Sequence, residues 1–229
     1  FVTVETINFY KKKLENISKR NKKIIYKKYN YYKNFENLFE KHYLATQKIK
    51  SKYIYLCEDD DFLIFDNIKK LVNFLNENED YACSGGQSFN MEILNKNFFL
   101  GRPEHILNNI SFEETSKFKR VNHLLFNMQS NWNCLHRTIN LRKIFFLINQ
   151  TKFENYLASE LLFVLSSIFY GKVKRFKHIE YIKIDNTLHS SSSIFSKEKD
   201  YLKILSSKKY SYENFIFIRL YKKYFKKAK

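Results

Sequence analysis

The sequence has 229 residues, a formal net charge of +18, four glycines and one proline. This length allows a substantial core in one domain with appendages, and so few glycines and prolines exclude a linker-rich or low-complexity protein. The three cysteines include no CxxC pair, which excludes a disulfide framework and favours reduced thiols in the cytoplasm. There is no signal-peptide pattern and no apolar run long enough to span a membrane. Because residue 1 is Phe, we expect the chain to begin inside a longer protein.

The positive charge by itself does not define a partner. Lys, Asn, Ile, Tyr and Phe are abundant together, which is the residue usage of an AT-rich genome, so part of the Lys excess is background. We therefore expect no specific nucleic-acid partner. The basic field still favours anionic partners such as a sugar nucleotide or an anionic lipid surface.

Residues 7–57 are predicted to form a helix, followed by a strand, a second helix and a second strand. Apolar residues at helical spacing predict a helix over residues 7–17, and the run KKIIY predicts a short strand at 22–26. A second helical face covers 35–49, and the apolar run at 53–57 predicts the next strand. Such a βαβ unit has parallel strands, and ligands gather at their carboxyl ends.

Four consecutive acids, Glu58, Asp59, Asp60 and Asp61, follow the predicted strand at 53–57. Neighbouring carboxylates repel one another and require water, a cation or another partner. If the extended geometry continues, Asp59 and Asp61 point the same way and form a two-carboxylate platform for a hard divalent cation. The acids lack the helical spacing of the terpene synthase motif. Phe62 and Leu63 replace the residues expected in the aspartate phosphatase motif, and no Gly-Ser precedes the acids as in nucleotidyltransferases.

The rest of the chain predicts alternating helices and strands. Asp66 should cap a helix that ends near residue 78, and a strand at 81–84 should end at a bulge or tight turn formed by the glycine pair 85–86. Residues 88–112 predict irregular structure. The later elements are a helix at 113–128, a strand at 131–136, a helix capped by Thr138, an apolar helix at 159–169 opened by Glu160 and ended by Gly171, and a strand at 173–184.

The C-terminal run SYENFIFIRLYKKYFKKAK mixes apolar and basic residues at helical spacing. Two interpretations remain open for it. One is a basic amphipathic helix that lies on an anionic membrane surface. The other is a terminal helix that packs on the core with a solvated Lys face.

Three segments carry a resemblance to a known family. The run YIYLCEDDDFLIFDNIKKLVNFLNENEDY at 53–81 resembles the DxD region of GT-A glycosyltransferases of the family 2 type, in particular a bacterial group in which an apolar strand leads into DDDF. LHRTINLRKIF at 135–145 and ASELLFVLSSIFYGKVKRFKHIEYIK at 158–183 are similar to segments that follow in the same order. The resemblance covers residues 22–184.

This resemblance implies an α/β fold with a GT-A-like (Rossmann-like) mixed sheet flanked by helices. It implies a glycosyltransferase domain over residues 1–188 whose first βα unit is missing, followed by a basic helical extension at 189–229. The implied activity is transfer of a sugar from a nucleotide-diphosphate sugar donor to a hydroxyl of a glycan or lipid-linked acceptor, usually with inversion. The expected location is cytoplasmic, with contact to the inner face of the membrane if the basic C-terminus lies on the membrane surface.

The resemblance also assigns roles to single residues. Asp61, assisted by Asp59 or Asp60, would hold Mg²⁺ or Mn²⁺ against the donor diphosphate. Glu160 would take the acceptor proton. The alternative is a structural role for Glu160, in which its charge interacts with the dipole at the start of the helix. The remaining candidates are Asp59, Asp60, His136 and Arg137 for the donor, Glu154 and Glu114 as other bases, Lys172 and Lys174 on the last strand, and His189 as a third metal ligand.

Two departures from the family pattern favour a second hypothesis. No nucleotide-binding turn of a first strand is recognisable before residue 22, and Lys183 stands where an Arg is expected, which loses the bidentate fork. The alternative is a degenerate GT-A domain that acts as a non-catalytic binding module.

Overall fold

The computed structural model describes residues 4–27, 29, 35–58, 61–94, 97–100, 106–107, 109–153, 155–185 and 201–225. The chain forms two compact units, Phe1–Lys33 and Asn34–Lys229. The second unit is a mixed α/β structure, in which a sheet is flanked by helices. The predicted α/β class and mixed sheet are confirmed at this level.

In the first unit, helix α1 (Val4–Arg20) confirms the predicted helix, but the predicted strand at 22–26 is wrong. The chain turns after α1 and is held by local hydrogen bonds. The Ser18 hydroxyl donates to the Ile24 carbonyl at 2.7 Å and accepts from the Tyr26 amide at 3.3 Å. The Asn21 side chain accepts from the Lys23 amide at 3.0 Å. Side chains that bond to nearby backbone in this way compete with strand pairing.

The described elements of the second unit follow one another in this order. They are α2 (Phe35–Lys48), β1 (Tyr53–Tyr55), β2 (Phe62–Leu63), a 3₁₀ helix (Phe65–Asn67), α3 (Ile68–Glu77), β3 (Tyr81–Leu94), β4 (Asn97–Leu100), β5 (Ile106–Leu107), α4 (Lys117–Phe126), β6 (Leu135–Arg137), α5 (Thr138–Thr151), α6 (Tyr156–Tyr170), β7 (Lys172–Asp185), α7 (Tyr201–Ser206), a 3₁₀ turn (Lys208–Tyr210) and α8 (Ser211–Phe225).

The sheet has the order β1-β6-β3-β7-β2, and β4 and β5 pair with β3. Strands β3 and β7 are parallel, whereas β6 runs antiparallel to both β1 and β3, and β2 runs antiparallel to β7. The predicted parallel βαβ unit around residues 22–57 is therefore wrong, because β1 pairs with β6 and the segment at 22–26 is not a strand. The parallel pair lies later in the chain, joined by a crossover through α4, α5 and α6.

The glycine pair does not end β3, as the sequence predicts, but lies inside it. The pairing register of β3 with β7 shifts between Gly85 and Gln87, because Gly85 is opposite Arg175 and Gln87 is opposite Ile179. A side chain at Gly86 would bring a Cβ within 2.5 Å of the His178 carbonyl oxygen. The predicted bulge is confirmed, and glycine is required there by the close approach of β7.

Strands β4, β5 and the second half of β3 lie within 88–112, which the sequence predicts to be irregular. That prediction is wrong for residues 88–94, 97–100 and 106–107, whereas residues 109–111 lie in neither a helix nor a strand. The single proline, Pro103, lies outside them.

Much of the core lies between the sheet and two apolar helices, α5 and α6. Helix α6 is buried along most of its length, including Leu161 and Phe163. It ends against β3, where a Cβ at Gly171 would lie 2.6 Å from the Ala82 amide nitrogen. Gly171 therefore ends the helix, as expected, but in an extended conformation that allows close helix–strand packing.

Polar caps at helix starts differ from those the sequence predicts. Asp66 lies inside the 3₁₀ helix that precedes α3 and does not cap α3. The Thr138 hydroxyl donates to the Ser51 carbonyl at 2.7 Å and does not cap α5. Helix α6 begins after Asn155, so Glu160 lies in the second turn and does not open the helix.

Replacing Asn155 with Ala should lower the free energy of unfolding by about 1 kcal/mol, because the start of α6 loses its cap. The Asn155 side-chain oxygen accepts from the Leu157 and Ala158 amides at 2.8 and 3.3 Å. Urea unfolding followed by circular dichroism measures the change. Asn155→Ser keeps a capping oxygen and should lose less. Equal losses in the two variants would contradict a capping role.

The C-terminal helices pack on the core of the second unit. The Tyr212 hydroxyl donates to the Thr151 carbonyl at 2.8 Å, and the Phe217 ring stacks on Phe153 at 5.4 Å between centroids. Both Ile204 and Phe217 are buried. The boundary predicted after residue 188 lies outside the described residues and stays a prediction. Among the described helices, none is long and apolar enough to cross a membrane.

Candidate functional site

The acidic segment connects the two outermost strands of the sheet order. Strand β1 is at one end of that order, and β2, the next strand along the chain, is at the opposite end. Glu58 and Asp61 belong to the described part of this segment, whereas Asp59 and Asp60 do not. The prediction that Asp59 and Asp61 face the same way is therefore untested.

Asp61 is held by the carboxyl-terminal half of β7. Its Oδ1 accepts from the Ile184 amide at 2.8 Å, and its Oδ2 accepts from the Tyr181 hydroxyl at 2.5 Å. The Tyr181 hydroxyl in turn accepts from the Glu58 amide at 3.2 Å. Burial and the Asp61 carboxylate raise the pKa of Tyr181, so the phenol stays protonated and remains a donor. Tyr181 thus links both described acids of the segment to the sheet.

Further contacts fix the chain on each side of Asp61. The Ile64 amide donates to the Glu180 carbonyl at 2.8 Å, and the Tyr55 ring stacks on Tyr181 at 6.4 Å between centroids. Phe62 and Phe65 expose 53% and 75% of their surface. Exposed aromatic rings next to a carboxylate are suited to contact a sugar or a nucleobase by stacking.

A second polar group lies inside the sheet on β7. Glu180 is completely buried; its Oε2 accepts from the Gly86 amide at 3.1 Å and lies 3.3 Å from the His178 Nε2. The Tyr55 side chain lies near this carboxyl group and, like His178, favours its charged form. Burial raises the pKa of Glu180. This carboxyl group is the most deeply placed acid of the described residues.

Arg175 lies on the same strand and is 5% exposed. Its guanidinium donates to the carbonyls of Gly86, Asn133 and Ser130 at 2.9, 3.0 and 2.8 Å. The described ion pairs do not include a direct contact between Arg175 and Glu180. The guanidinium therefore balances the nearby carboxylate at longer range while it joins β3, β7 and the loop before β6.

Sequence reasoning missed both Glu180 and Arg175. The strand sequence KVKRFKHIEYIKID carries a signal, because Glu180 stands between Ile179 and Tyr181 in a strand that runs through the sheet. A lone acid among apolar residues of a central strand is usually buried and paired.

His136 and Arg137 have structural contacts. The buried His136 ring lies 2.8 Å, through Nε2, from the Asn131 carbonyl, and burial lowers its pKa to about 4. The Arg137 guanidinium donates to the carbonyls at the end of α3 and the start of β3: those of Leu75, Asn78 and Tyr81 at 2.6, 2.9 and 2.7 Å. These bonds satisfy carbonyls that have no hydrogen-bond partner within the helix, because they lie at or after its end. A role of either residue in donor binding stays a prediction.

Other candidates are distributed over the unit. Glu160 is partly exposed in α6, and its catalytic role is untested. Glu114 lies 2.6 Å from the His123 ring nitrogen. Glu154 and His189 lie outside the described residues.

The two candidate lysines of β7, Lys172 and Lys174, are paired with acids other than Asp61. Lys172 contacts Asp80 at 2.7 Å, and Lys174 contacts Glu113 at 2.8 Å. Both lie at the start of the 14-residue strand, whereas Tyr181 and its neighbours near the end hold Asp61.

The metal site stays a prediction. Within the described ranges, no group of three or more His, Cys, Asp or Glu side chains is placed to hold a metal ion. Two of the three proposed acids lie outside those ranges.

Comparison with known proteins does not extend these observations, since no protein-family model and no curated protein matches the chain.

Proposed function

We propose that this chain is a GT-A-like glycosyltransferase that moves a sugar from a nucleotide-diphosphate sugar to an acceptor hydroxyl with inversion. The observation that carries the proposal is Asp61, a partly exposed carboxylate at the end of a run of four acids, oriented by Tyr181 and Ile184. Orientation by hydrogen bonds from a strand of the sheet is what a ligand for a metal ion requires. The exposed rings of Phe62 and Phe65 support binding of a donor next to it.

In this proposal Asp61, with Asp59 or Asp60, holds Mg²⁺ or Mn²⁺. Carboxylate oxygens are hard ligands and accept more than one interaction each, so the bonds from Tyr181 and Ile184 are compatible with metal ligation. When bound, the ion would neutralise negative charge on the diphosphate leaving group.

The residues of the chain would supply the remaining chemistry. The acceptor oxygen attacks the anomeric carbon from the face opposite the diphosphate, and the bond to the diphosphate breaks with its electron pair. The acceptor proton passes to the carboxylate of Glu160. The acceptor is a glycan or a lipid-linked sugar, and a cytoplasmic location with contact to the membrane surface belongs to the same proposal.

Asp61→Asn should lower the rate of nucleoside diphosphate release from a nucleotide-diphosphate sugar, in the presence of Mn²⁺, by about a hundredfold or more. The amide can still accept the bond from Ile184 but loses the charge. Asp66→Asn is the matched control, because Asp66 is exposed in the following 3₁₀ helix and the charge change is the same. Calorimetric titration of donors with Mn²⁺ supplies a second measurement.

An Asp61→Asn variant that folds and retains both donor binding and turnover would exclude the proposed metal role. If no nucleotide sugar binds the wild-type chain, the glycosyltransferase proposal fails.

A second candidate is a degenerate GT-A domain that binds a nucleotide sugar without turnover. The observation that favours it is the position of β1 at the edge of the sheet. Among the described strands β1 pairs with β6 alone, and the segment at 22–26, which the sequence predicts as a neighbouring strand, is not a strand. Donor binding without release of nucleoside diphosphate in the full-length protein would support this candidate over the enzyme.

A further inference from the structure

A cavity of 320 Å³ lies among α4, α5, α6 and the C-terminal helices. Its lining is apolar apart from Asn122, Ser166 and Tyr170. The volume falls in the range of about 300–1,000 Å³ that is typical of small-molecule sites. None of the residues proposed for sugar transfer lines this cavity.

The cavity opens to solvent. Three of its lining residues, Phe118, Leu125 and Ile218, expose 50%, 37% and 53% of their surface. On the inner side the lining includes the buried side chains of Val121 on α4, Leu162 on α6 and Phe217 on α8. An apolar ligand can therefore enter from the surface and reach the core of the unit.

Cationic groups lie beside aromatic rings of the cavity wall. The Lys117 Nζ is 4.3 Å from the ring centroid of Phe169, and the Lys143 Nζ is 5.7 Å from that of Tyr170. Both rings line the cavity. Within the described part of the chain, neither lysine forms an ion pair with an acid. Their charge remains available to an anion bound beside the two lysines at this wall of the cavity.

The helices around the cavity add to the positive potential. Arg219 and Lys222 are exposed on α8, next to the lining residues Ile218 and Leu220. Helices α4 and α5 contain no acid at all. An uncharged apolar ligand would not interact with this positive charge. An anionic amphiphile complements both the apolar lining of the cavity and the positive charge around it.

We infer that this cavity binds the hydrocarbon chain of an anionic lipid, with the lipid phosphate beside Lys117 and Lys143. This site is separate from the acidic segment, and the inference holds whether or not the chain transfers sugars. It assigns a binding function to the C-terminal helices, which close one side of the cavity.

The probe is dodecyl phosphate, titrated into the full chain by calorimetry below its micelle concentration, with octyl phosphate and dodecyl maltoside as comparisons. We expect the affinity to rise by up to about fourfold for each methylene between octyl and dodecyl phosphate, because each methylene is removed from water. Dodecyl maltoside, which keeps the chain and lacks the charge, should bind more weakly than dodecyl phosphate.

Substitutions in the protein test binding of the phosphate and binding of the hydrocarbon chain separately. Lys117→Glu should weaken dodecyl phosphate binding by about tenfold or more, whereas Lys69→Glu, the same charge change at an exposed position of α3, should not. Ser166→Phe fills the cavity and should abolish binding. Asn122→Trp, at a partly exposed position of the wall, serves the same purpose if Ser166→Phe does not fold.

Lipid vesicles test whether the cavity binds a lipid that is part of a membrane. The chain should float with phosphatidylglycerol vesicles and not with phosphatidylcholine vesicles, and Ser166→Phe or Asn122→Trp should reduce flotation. Equal affinity for octyl and dodecyl phosphate, or unchanged binding in both cavity-filling variants, would overturn the inference and leave only attraction of an anion to a basic surface.

Discussion

Arg175→Ala should lower the free energy of unfolding by about 3–5 kcal/mol. The substitution leaves the carbonyls of Gly86, Asn133 and Ser130 without the guanidinium that now bonds to all three. It also leaves the buried Glu180 without its nearby positive charge. Urea unfolding at pH 7, followed by circular dichroism, measures the loss.

Three further variants define the cause of that loss. Arg175→Lys keeps the charge but loses the planar fork, so it should fall between wild type and Arg175→Ala. Arg219→Ala removes an exposed arginine of α8 and should change stability by less than about 0.5 kcal/mol. Adding Glu180→Gln to Arg175→Ala should recover part of the loss, because no uncompensated carboxylate then remains. A loss below about 1 kcal/mol for Arg175→Ala would mean that water replaces the guanidinium.

The second large effect is a loss of stability in mild acid through His136. Burial lowers the pKa of His136 from an ordinary 6.5 to about 4, so the folded chain holds this ring neutral. Between these two values the unfolded chain binds more protons than the folded chain, and the free energy of unfolding therefore falls as the pH falls. The contribution is complete above pH 6.5 and decreases from there to about pH 4.

The size of this effect follows from the shift. At about 1.4 kcal/mol for each pH unit, the shift of His136 corresponds to about 3 kcal/mol. Burial also lowers the pKa of His42 to about 4, which adds an effect of the same sign. Glu180 acts with the opposite sign, because its raised pKa favours the folded chain at low pH and this contribution is lost as the pH rises above 4.5.

The test is therefore the difference between wild type and His136→Gln. Urea unfolding at pH 7, 5.5 and 4.5 should show a smaller dependence on pH in the variant. Magnetic resonance of the ring nitrogens in the wild-type chain gives a check that does not depend on the variant, since His136 should remain neutral at pH 5.5. A ring that becomes protonated near pH 6.5 in the folded chain would contradict the prediction.

Local sequence patterns identified most of the helices. The spacing of apolar residues predicts α2, α5 and α6, and the structure confirms them because each buries a stripe of side chains that the pattern already contains. The same holds for β1 and β7, which are strands of the sheet and bury Ile54, Val173 and Tyr181. Caps were harder to predict, since Thr138 bonds to Ser51, a residue far away in sequence.

Strand partners could not be read from the sequence. The run KKIIY has the composition of a strand, but side chains of Ser18 and Asn21 hold it beside the end of α1. Strand β3 continues through two glycines that the sequence treats as an end, because β7 supplies pairing on both sides of the bulge. Pairing depends on chain segments distant in sequence, which local propensity does not contain.

The sequence by itself determined the α/β class and the position of the acids after β1, because burial patterns and charge runs are local properties. Only the tertiary structure decided which groups surround those acids. Tyr181 and Ile184 reach Asp61 across more than a hundred residues of sequence, and Glu180 lies buried beside them because β7 runs through the sheet. The cavity beside α8 likewise exists only because five helices, α4 to α8, leave space between their apolar faces. Each of those faces, taken alone, predicts simple core packing.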